Sequence, residues 1–209
     1  MSDYRSLASH YENRLEEFGP NFRGMDWPNE VDLKTRFRVM TSIIPGSGQF
    51  SLLDLGCGVG LLLDYLQSSK ELDRLDYLGV DLSSKMIEAA KVRHPNQKFQ
   101  SRDLLTNPFS NQSVDYIIMN GLLTEKQTLS QTQMIQFAKE ILGRAFESCK
   151  FGMAFNIMSP HVDWKREDLF HWELDQVVSF LRSSCSPHIR IYLDYGLYEY
   201  TVHVTRQTR

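Results

Sequence analysis

The sequence has few cysteines, no internal repeats and no long apolar run, and each absence excludes a class of protein. Its three cysteines, Cys57, Cys149 and Cys185, are widely spaced and form no CxxC pair, so neither a disulfide framework nor a metal site is indicated. No apolar stretch approaches the roughly 20 residues that a membrane-spanning helix needs. Residues 1–5 are polar and lack the apolar stretch of a signal peptide. We therefore expect a cytoplasmic protein with reduced thiols and no membrane partner.

An excess of positive charge is also missing. The chain has 23 Lys and Arg against 26 Asp and Glu, which gives a formal net charge of -3. Proteins that coat a phosphate backbone usually carry clustered basic residues, so nucleic acid is disfavoured as a partner. The 209 residues, of which 42% are hydrophobic, can bury one sizeable core and are short for two domains. The oligomeric state stays open.

Apolar segments of strand length alternate with amphipathic helical segments along the chain. The predicted strands are residues 51–55, 76–80, 98–101, 114–119 and 151–158. From residue 189 to residue 205, apolar and polar residues alternate on both sides of a short glycine-containing loop, which predicts an antiparallel hairpin. This order predicts an α/β fold with a doubly wound, seven-stranded, mostly parallel sheet that contains one antiparallel strand.

The most informative segment is a glycine loop at residues 54–60, which reads Asp-Leu-Gly-Cys-Gly-Val-Gly. Glycines between a strand and a helix allow a sharp turn and close approach of a ligand, and this is where doubly wound sheets bind ligands. Asp81 ends the second predicted strand, where a carboxylate can accept hydrogen bonds from both hydroxyls of a ribose. A nicotinamide fingerprint would place its third glycine at position 61, which is Leu. The spacing therefore disfavours a nicotinamide oxidoreductase, and a tight turn without a ligand is the other alternative.

The glycine loop resembles motif I of class I S-adenosylmethionine-dependent methyltransferases. The resemblance continues through Asp81-Leu82-Ser83-x-x-Met86, Asp103-Leu104 and the strand at 114–119. Residues 11–37 and 194–202 resemble a short, mostly uncharacterised bacterial group of the same superfamily. The resemblance implies a Rossmann-like methyltransferase fold and S-adenosylmethionine as the cofactor. It also implies a single domain over residues 1–209, in which residues 1–45 form a helical lid and residues 46–209 form the core.

The same resemblance implies which residues bind the cofactor. Asp54 would orient the ammonium group, Asp81 would hold the ribose hydroxyls, and Asp103 would lie near the adenine amino group. Arg36 could pair with the cofactor carboxylate, with a plain surface position as the alternative. The full expected set is Trp27, Arg36, Asp54, Gly56, Cys57, Gly58, Gly60, Asp81, Leu82, Met86, Asp103, Leu104, Asn120 and Gly121.

Two residues are candidates for catalysis. His171 lies between Phe170 and Trp172 just before the last predicted helix, where it could act as a base or pack within an aromatic cluster. Tyr195 lies in the hairpin loop, where it could line an acceptor pocket or pack against the hairpin. Because methyl transfer depends largely on alignment and exclusion of water, no single catalytic residue is demanded.

These patterns predict methyl transfer from S-adenosylmethionine to a small molecule or a biosynthetic intermediate, with the methylated atom left open. Residues 120–123, Asn-Gly-Leu-Leu, depart from the Asn/Asp-Pro-Pro-Tyr motif of amino methyltransferases, which disfavours adenine and glutamine as acceptors. A non-catalytic partner subunit that binds S-adenosylmethionine is the main alternative, and a nicotinamide oxidoreductase is the weaker one.

Overall fold

The computed structural model describes residues 4–207, in which strands and helices alternate along the chain. The strands are β1 (Phe50–Leu55), β2 (Leu75–Asp81), β3 (Lys98–Ser101), β4 (Val114–Met119), β5 (Cys149–Met158), β6 (His188–Tyr192) and β7 (Glu199–Thr205). The helices are α1 (Ser6–Phe18), α2 (Glu30–Thr41), α3 (Leu61–Ser68), α4 (Ser84–Arg93), α5 (Gln131–Ser148) and α6 (Leu174–Ser184), with a short 3₁₀ turn at Leu72–Arg74.

The strands form one seven-stranded sheet in the order β3-β2-β1-β4-β5-β7-β6. The strands from β3 to β5 pair in parallel, whereas β7 is antiparallel to both of its neighbours, β5 and β6. The chain order reverses beside β1, so β1 and β4 flank the point at which a doubly wound sheet binds ligands. The predicted fold class, including the one antiparallel strand and the terminal hairpin, is confirmed.

Helices cover both faces of the sheet, and the residues of β1 show how the core divides. Leu53 and Leu55 belong to a buried cluster that includes residues of α5 and α6, whereas Leu52 belongs to a second cluster that includes residues of α2, α3 and α4. Because both faces of this strand are buried, its apolar run needs no polar alternation. Asp54, two residues after Leu52, therefore lies in the interior.

The first 45 residues contain α1 and α2, joined by a non-helical segment at residues 19–29, and they pack against the core at two places. Helix α1 lies against α4, where Glu12 accepts a hydrogen bond from the Ser83 hydroxyl at 2.6 Å and Lys85 lies 2.7 Å from Glu16. Helix α2 begins at Asn29, whose side chain accepts a hydrogen bond from the Asp32 amide, and it packs against α3, β5 and β7.

Residues 1–3 and 208–209 of the predicted single domain lie outside the described residues. Among residues 4–207, every helix is too short or too polar to span a membrane.

Candidate functional site

A cavity of about 1180 Å³, its open mouth included, lies at the carboxyl ends of β1 to β4 and beneath α1. It brings together twelve of the residues that were expected to bind a cofactor: Trp27, Asp54, Gly56, Cys57, Gly58, Asp81, Leu82, Met86, Asp103, Leu104, Asn120 and Gly121. Residues of α1, among them Tyr11, line the same cavity from the other side.

The glycine loop forms one wall of the cavity in a conformation that requires glycine. Gly56, Gly58 and Gly60 have φ angles of 78°, 53° and 83°, in the left-handed region that other residues rarely adopt. The amides of Gly56 and Cys57 both donate to the Val80 carbonyl, at 2.8 and 3.0 Å. A Cβ atom at Gly58 would lie 2.6 Å from the Met25 sulfur. The loop therefore exposes backbone rather than side chains to the cavity.

Asp81 is held in one orientation at the end of β2. One of its carboxylate oxygens accepts a hydrogen bond from the Gly58 amide and the other accepts one from the Ser83 amide, both at 2.9 Å. Burial raises the pKa of this carboxyl group above its ordinary value, while the backbone hydrogen bonds act in the opposite direction. Each oxygen can still accept a further hydrogen bond, so the carboxylate can bind two neighbouring hydroxyl groups.

Asp54 is a buried acid next to the glycine loop. Its side chain is 2% exposed and accepts a hydrogen bond of 2.7 Å from the Tyr77 hydroxyl. Burial raises the pKa of the Asp54 carboxyl group to about 7. A positive charge next to such a carboxyl group favours its ionised form, so Asp54 suits a ligand that carries an ammonium group.

Asp103 closes the opposite end of the cavity and contacts the start of the described chain. The same oxygen accepts hydrogen bonds from the Tyr4 hydroxyl at 2.7 Å and from the Arg5 guanidinium at 2.9 Å. Its other oxygen accepts a hydrogen bond from the Leu105 amide at 3.1 Å. The segment that leads into α1 is thus tied to the loop that follows β3.

Two expected cofactor residues, Arg36 and Gly60, do not line the cavity. Arg36 stacks on Trp27, with its guanidinium carbon 4.5 Å from the ring centroid, and its Nε atom donates to Glu199 at 2.9 Å. Both members of this ion pair are buried. Arg36 therefore lies behind Trp27, while Gly60 precedes the first residue of α3.

The two candidate catalytic residues also lie behind the cavity wall. The His171 ring nitrogen Nδ1 is 2.7 Å from the Ser159 carbonyl oxygen. The Tyr195 hydroxyl contacts Glu199 at 3.2 Å and Thr201 at 2.9 Å, and burial raises its pKa. The structure does not bring either side chain to the surface of the cavity.

A group that the sequence did not single out does reach the cavity. The His10 ring nitrogen Nε2 lies 3.0 Å from Asp26 and 3.3 Å from Glu125, and Glu125 lines the cavity. Burial and the nearby Asp26 charge raise the pKa of Glu125 to about 7. We call these three residues the His10 cluster. They come from α1, from the loop before α2 and from the loop after β4, so no spacing in the sequence predicts that they meet.

The family described as "Methyltransferase domain" matches residues 52–144, which contain the glycine loop, Asp81 and Asp103. Rv1506c, a candidate methyltransferase of Mycobacterium tuberculosis, is 27% identical over 166 residues. That alignment covers 78% of this chain and 98% of the mycobacterial protein.

Solved structures extend the likeness to the fold. The magnesium protoporphyrin IX methyltransferase of Synechocystis PCC 6803, solved with S-adenosylmethionine, superposes with a TM-score of 0.61 and 14% identity over 85% of this chain and 81% of its own. A TehB-like S-adenosylmethionine-dependent methyltransferase of Corynebacterium glutamicum superposes with a TM-score of 0.59 and 16% identity over 96% of this chain and 100% of its own. At these identities the superpositions show a shared fold.

Proposed function

We propose that the chain is a class I S-adenosylmethionine-dependent methyltransferase that transfers the methyl group of its cofactor to a small-molecule acceptor. The match of residues 52–144 to a methyltransferase domain and the likeness to the mycobacterial relative support this proposal. The observation that carries this proposal is the orientation of Asp81. Its two oxygens are fixed by the Gly58 and Ser83 amides at the wall of a cavity that also exposes the glycine loop. This arrangement fits the ribose of a nucleoside ligand.

The other residues of the cavity fit the rest of the cofactor. Bound there, S-adenosylmethionine supplies a methyl group that is already activated by a positively charged sulfur. Asp54 would hold the ammonium group, because an ionised carboxylate in a buried site is stabilised by a cation. Leu82 and Met86 would pack against the adenine, with Asp103 near its amino group. Asn120 and Gly121, which follow β4, would lie beside the reacting sulfur.

Arg36 has a different role in this proposal from the one that the sequence suggested. Its contact with Glu199 and its stack on Trp27 make it a positioning residue that fixes the indole at the cavity wall. Neither His171 nor Tyr195 lines the cavity, so neither side chain would touch an acceptor bound there.

Two features of the cavity support a small acceptor. Residues of α1 and Trp27 cover it, so a macromolecule would meet this cover before it reached the glycine loop. The cavity wall that is not assigned to the cofactor presents the buried acid Glu125, with Asp26 close to it. Carboxylates at this place disfavour a polyanion such as a nucleic acid.

Isothermal titration with S-adenosylmethionine and S-adenosylhomocysteine tests the cofactor half. We expect Asp81→Ala to weaken binding by about 1–3 kcal/mol, the usual effect of a lost hydrogen bond to a charged group. Asp76→Ala is the matched control, because Asp76 lies on the same strand but is exposed and pairs with Lys98. Failure of the folded wild-type protein to bind either ligand would refute the proposal.

Turnover is tested separately, with methyl-labelled S-adenosylmethionine and the small-molecule fraction of a cell extract. We expect label to appear in an acceptor, together with S-adenosylhomocysteine. A wild-type protein that binds the cofactor but transfers no label would be a binding subunit without catalysis, and the proposed activity would be wrong.

A further inference from the structure

The His10 cluster reaches the cavity through Glu125, which lies in a different segment from the two aspartates that we expect to bind the cofactor. Asp54 and Asp81 belong to β1 and β2, whereas Glu125 follows β4 and lines the same cavity. The Glu125 side chain is only 10% exposed. One of its oxygens lies 3.3 Å from the His10 ring nitrogen and accepts a hydrogen bond of 2.5 Å from the side-chain amide of Gln127. A buried acid in this position serves no contact that the proposed cofactor needs.

We propose that Glu125, supported by His10 and Asp26, forms the acceptor site and takes the proton of an N–H or O–H acceptor. This inference rests on the proposed methyl transfer and adds the chemical class of the acceptor. The site fits a neutral small molecule that reacts through nitrogen or oxygen. It disfavours acceptors that react through a carboxylate or phosphate oxygen, because two acids would face a second negative charge.

The loop that carries Glu125 is fixed in place by hydrogen bonds at both ends. The Gly121 amide donates to the Asn156 side chain at 2.8 Å, and the Thr124 hydroxyl donates to the Gly121 carbonyl at 2.9 Å. The Phe170 amide donates to the Thr124 carbonyl at 2.8 Å. A general base must hold a set position relative to the reacting atom, and these contacts provide it.

Asn120 gives a second, independent indication of a ligand with a hydrogen-bond donor. Its side-chain oxygen is buried and accepts no hydrogen bond within the described part of the chain, although the residue lines the cavity. Buried polar atoms are nearly always paired, so an unpaired oxygen at a cavity wall marks a place where a ligand donates. An N–H or O–H group of the acceptor would fill this role.

The charges around Glu125 favour proton transfer over metal binding. The ligand atoms of the His10 cluster lie within 4.8 Å of one another, close enough for a metal ion. However, the Arg14 guanidinium lies 2.8 Å from Asp26 and would repel a cation. His10 is 26% exposed on its side chain, so it can pass a proton to water. The other titratable groups that interact with the cluster are Tyr11, Arg166 and Asp168.

The step balances with these residues alone. As the acceptor nitrogen or oxygen bonds to the methyl carbon, the carbon–sulfur bond breaks and its electron pair stays on sulfur. The proton of the acceptor passes to the Glu125 carboxylate, and His10 then carries it to water. The products are the methylated acceptor, S-adenosylhomocysteine and one proton.

The experiment compares Glu125→Gln with the matched control Glu88→Gln, in which an exposed acid of α4 is changed. Glu125→Gln should bind S-adenosylhomocysteine within about twofold of wild type and lower the rate of methyl transfer by about 10²–10⁴-fold, the usual effect of losing a general base. The wild-type rate should fall as the pH drops below about 7. Glu125→Gln should lose this fall, and Glu88→Gln should keep both the rate and the pH profile.

Several results would overturn the inference without touching the proposed function. One is a loss of S-adenosylhomocysteine affinity in Glu125→Gln as large as that in Asp81→Ala, which would place Glu125 in the cofactor site. Others are unchanged turnover in Glu125→Gln, dependence of turnover on an added divalent cation, and a labelled product that mass spectrometry identifies as a carboxylate or phosphate ester. Failure of the wild type to bind cofactor or to transfer label would instead refute the proposed function itself.

Discussion

The ionisation of Asp54 should control the affinity for S-adenosylmethionine. The carboxyl group is buried against the Tyr77 hydroxyl, and burial raises its pKa from 3.8 to about 7. Only the ionised form can pair with the ammonium group of the cofactor, so binding should release a proton at low pH. Each pH unit below the pKa reduces the ionised fraction about tenfold, and the dissociation constant should rise by the same factor.

Titration calorimetry between about pH 5.5 and pH 8.5 measures this effect, with Asp54→Asn as the reference. The α-amino group of the ligand titrates near pH 8, but it does so with both proteins. The ratio of the two dissociation constants at each pH therefore isolates Asp54. Tyr77→Phe removes the hydrogen bond that lowers the pKa of Asp54, so the midpoint of the wild-type curve should move to higher pH in this variant. A ratio that is constant across the range would refute the reasoning.

The same pKa predicts how stability without the cofactor depends on pH. Between pH 3.8 and about 7 the folded protein holds a proton on Asp54 that the unfolded chain has released. The free energy of unfolding therefore falls as the pH rises through this window, by at most about 4 kcal/mol. Asp54→Asn has no carboxyl group to ionise at this position, so its free energy of unfolding should not fall for this reason. Its melting temperature should exceed that of the wild type near pH 8, and the difference should shrink toward about pH 4; parallel melting curves would contradict the burial argument.

Three further outcomes follow from the structure. Arg36→Met should lower the free energy of unfolding by about 3–5 kcal/mol in chemical denaturation, because it leaves Glu199 buried without its charged partner. Adding Glu199→Gln should recover part of the loss. An unchanged denaturation midpoint in Arg36→Met would argue against the ion pair. Gly121→Ala should displace Trp27, because the new Cβ would lie 2.7 Å from the indole ring and Gly121 has a φ of 82°. Weaker S-adenosylhomocysteine binding and altered tryptophan fluorescence would show the displacement. Gly143→Ala, on α5 with open space around it, should leave binding unchanged. S-adenosylhomocysteine should slow amide hydrogen exchange in α1 and leave exchange in α6 unaffected. Equal exchange in α1 with and without the ligand would contradict the role of α1 as a cover of the cavity.

The cofactor half of the cavity could be predicted because its parts are local in sequence. The glycine loop and Asp81 each come directly at the end of a strand, and parallel strands next to the switch point bring their carboxyl ends together. Gly56 and Gly58 adopt positive φ angles, which glycine allows at little cost, so the residue type itself marks the turn. Strand pattern and residue type therefore sufficed to assemble these groups in one place.

The positions of Arg36, His171 and Glu125 depend on contacts between distant segments. Arg36 was expected at the cofactor, yet its partner Glu199 lies 163 positions later in the chain, and no pattern in the sequence links the two. His171 drew attention through its aromatic neighbours, and those neighbours are fully buried in the core. Glu125 gave no signal, because its raised pKa comes from burial and from Asp26, both of which exist only in the folded protein.

The buried contact between Arg36 and Glu199 also bears on how the protein is made. A nascent chain leaves the ribosome from its amino end, so Arg36 and Asn156 emerge long before Glu199, which binds both of them. Until β7 inserts between β5 and β6, these two polar side chains lack their partner, and Asn156 is also the side chain that holds the Gly121 amide. A shortened chain that stops before residue 199 would leave Asn156 without the Glu199 carboxylate to which it donates a hydrogen bond. The hydrogen bonds that support the loop after β4 are therefore completed only after β7 has been synthesised.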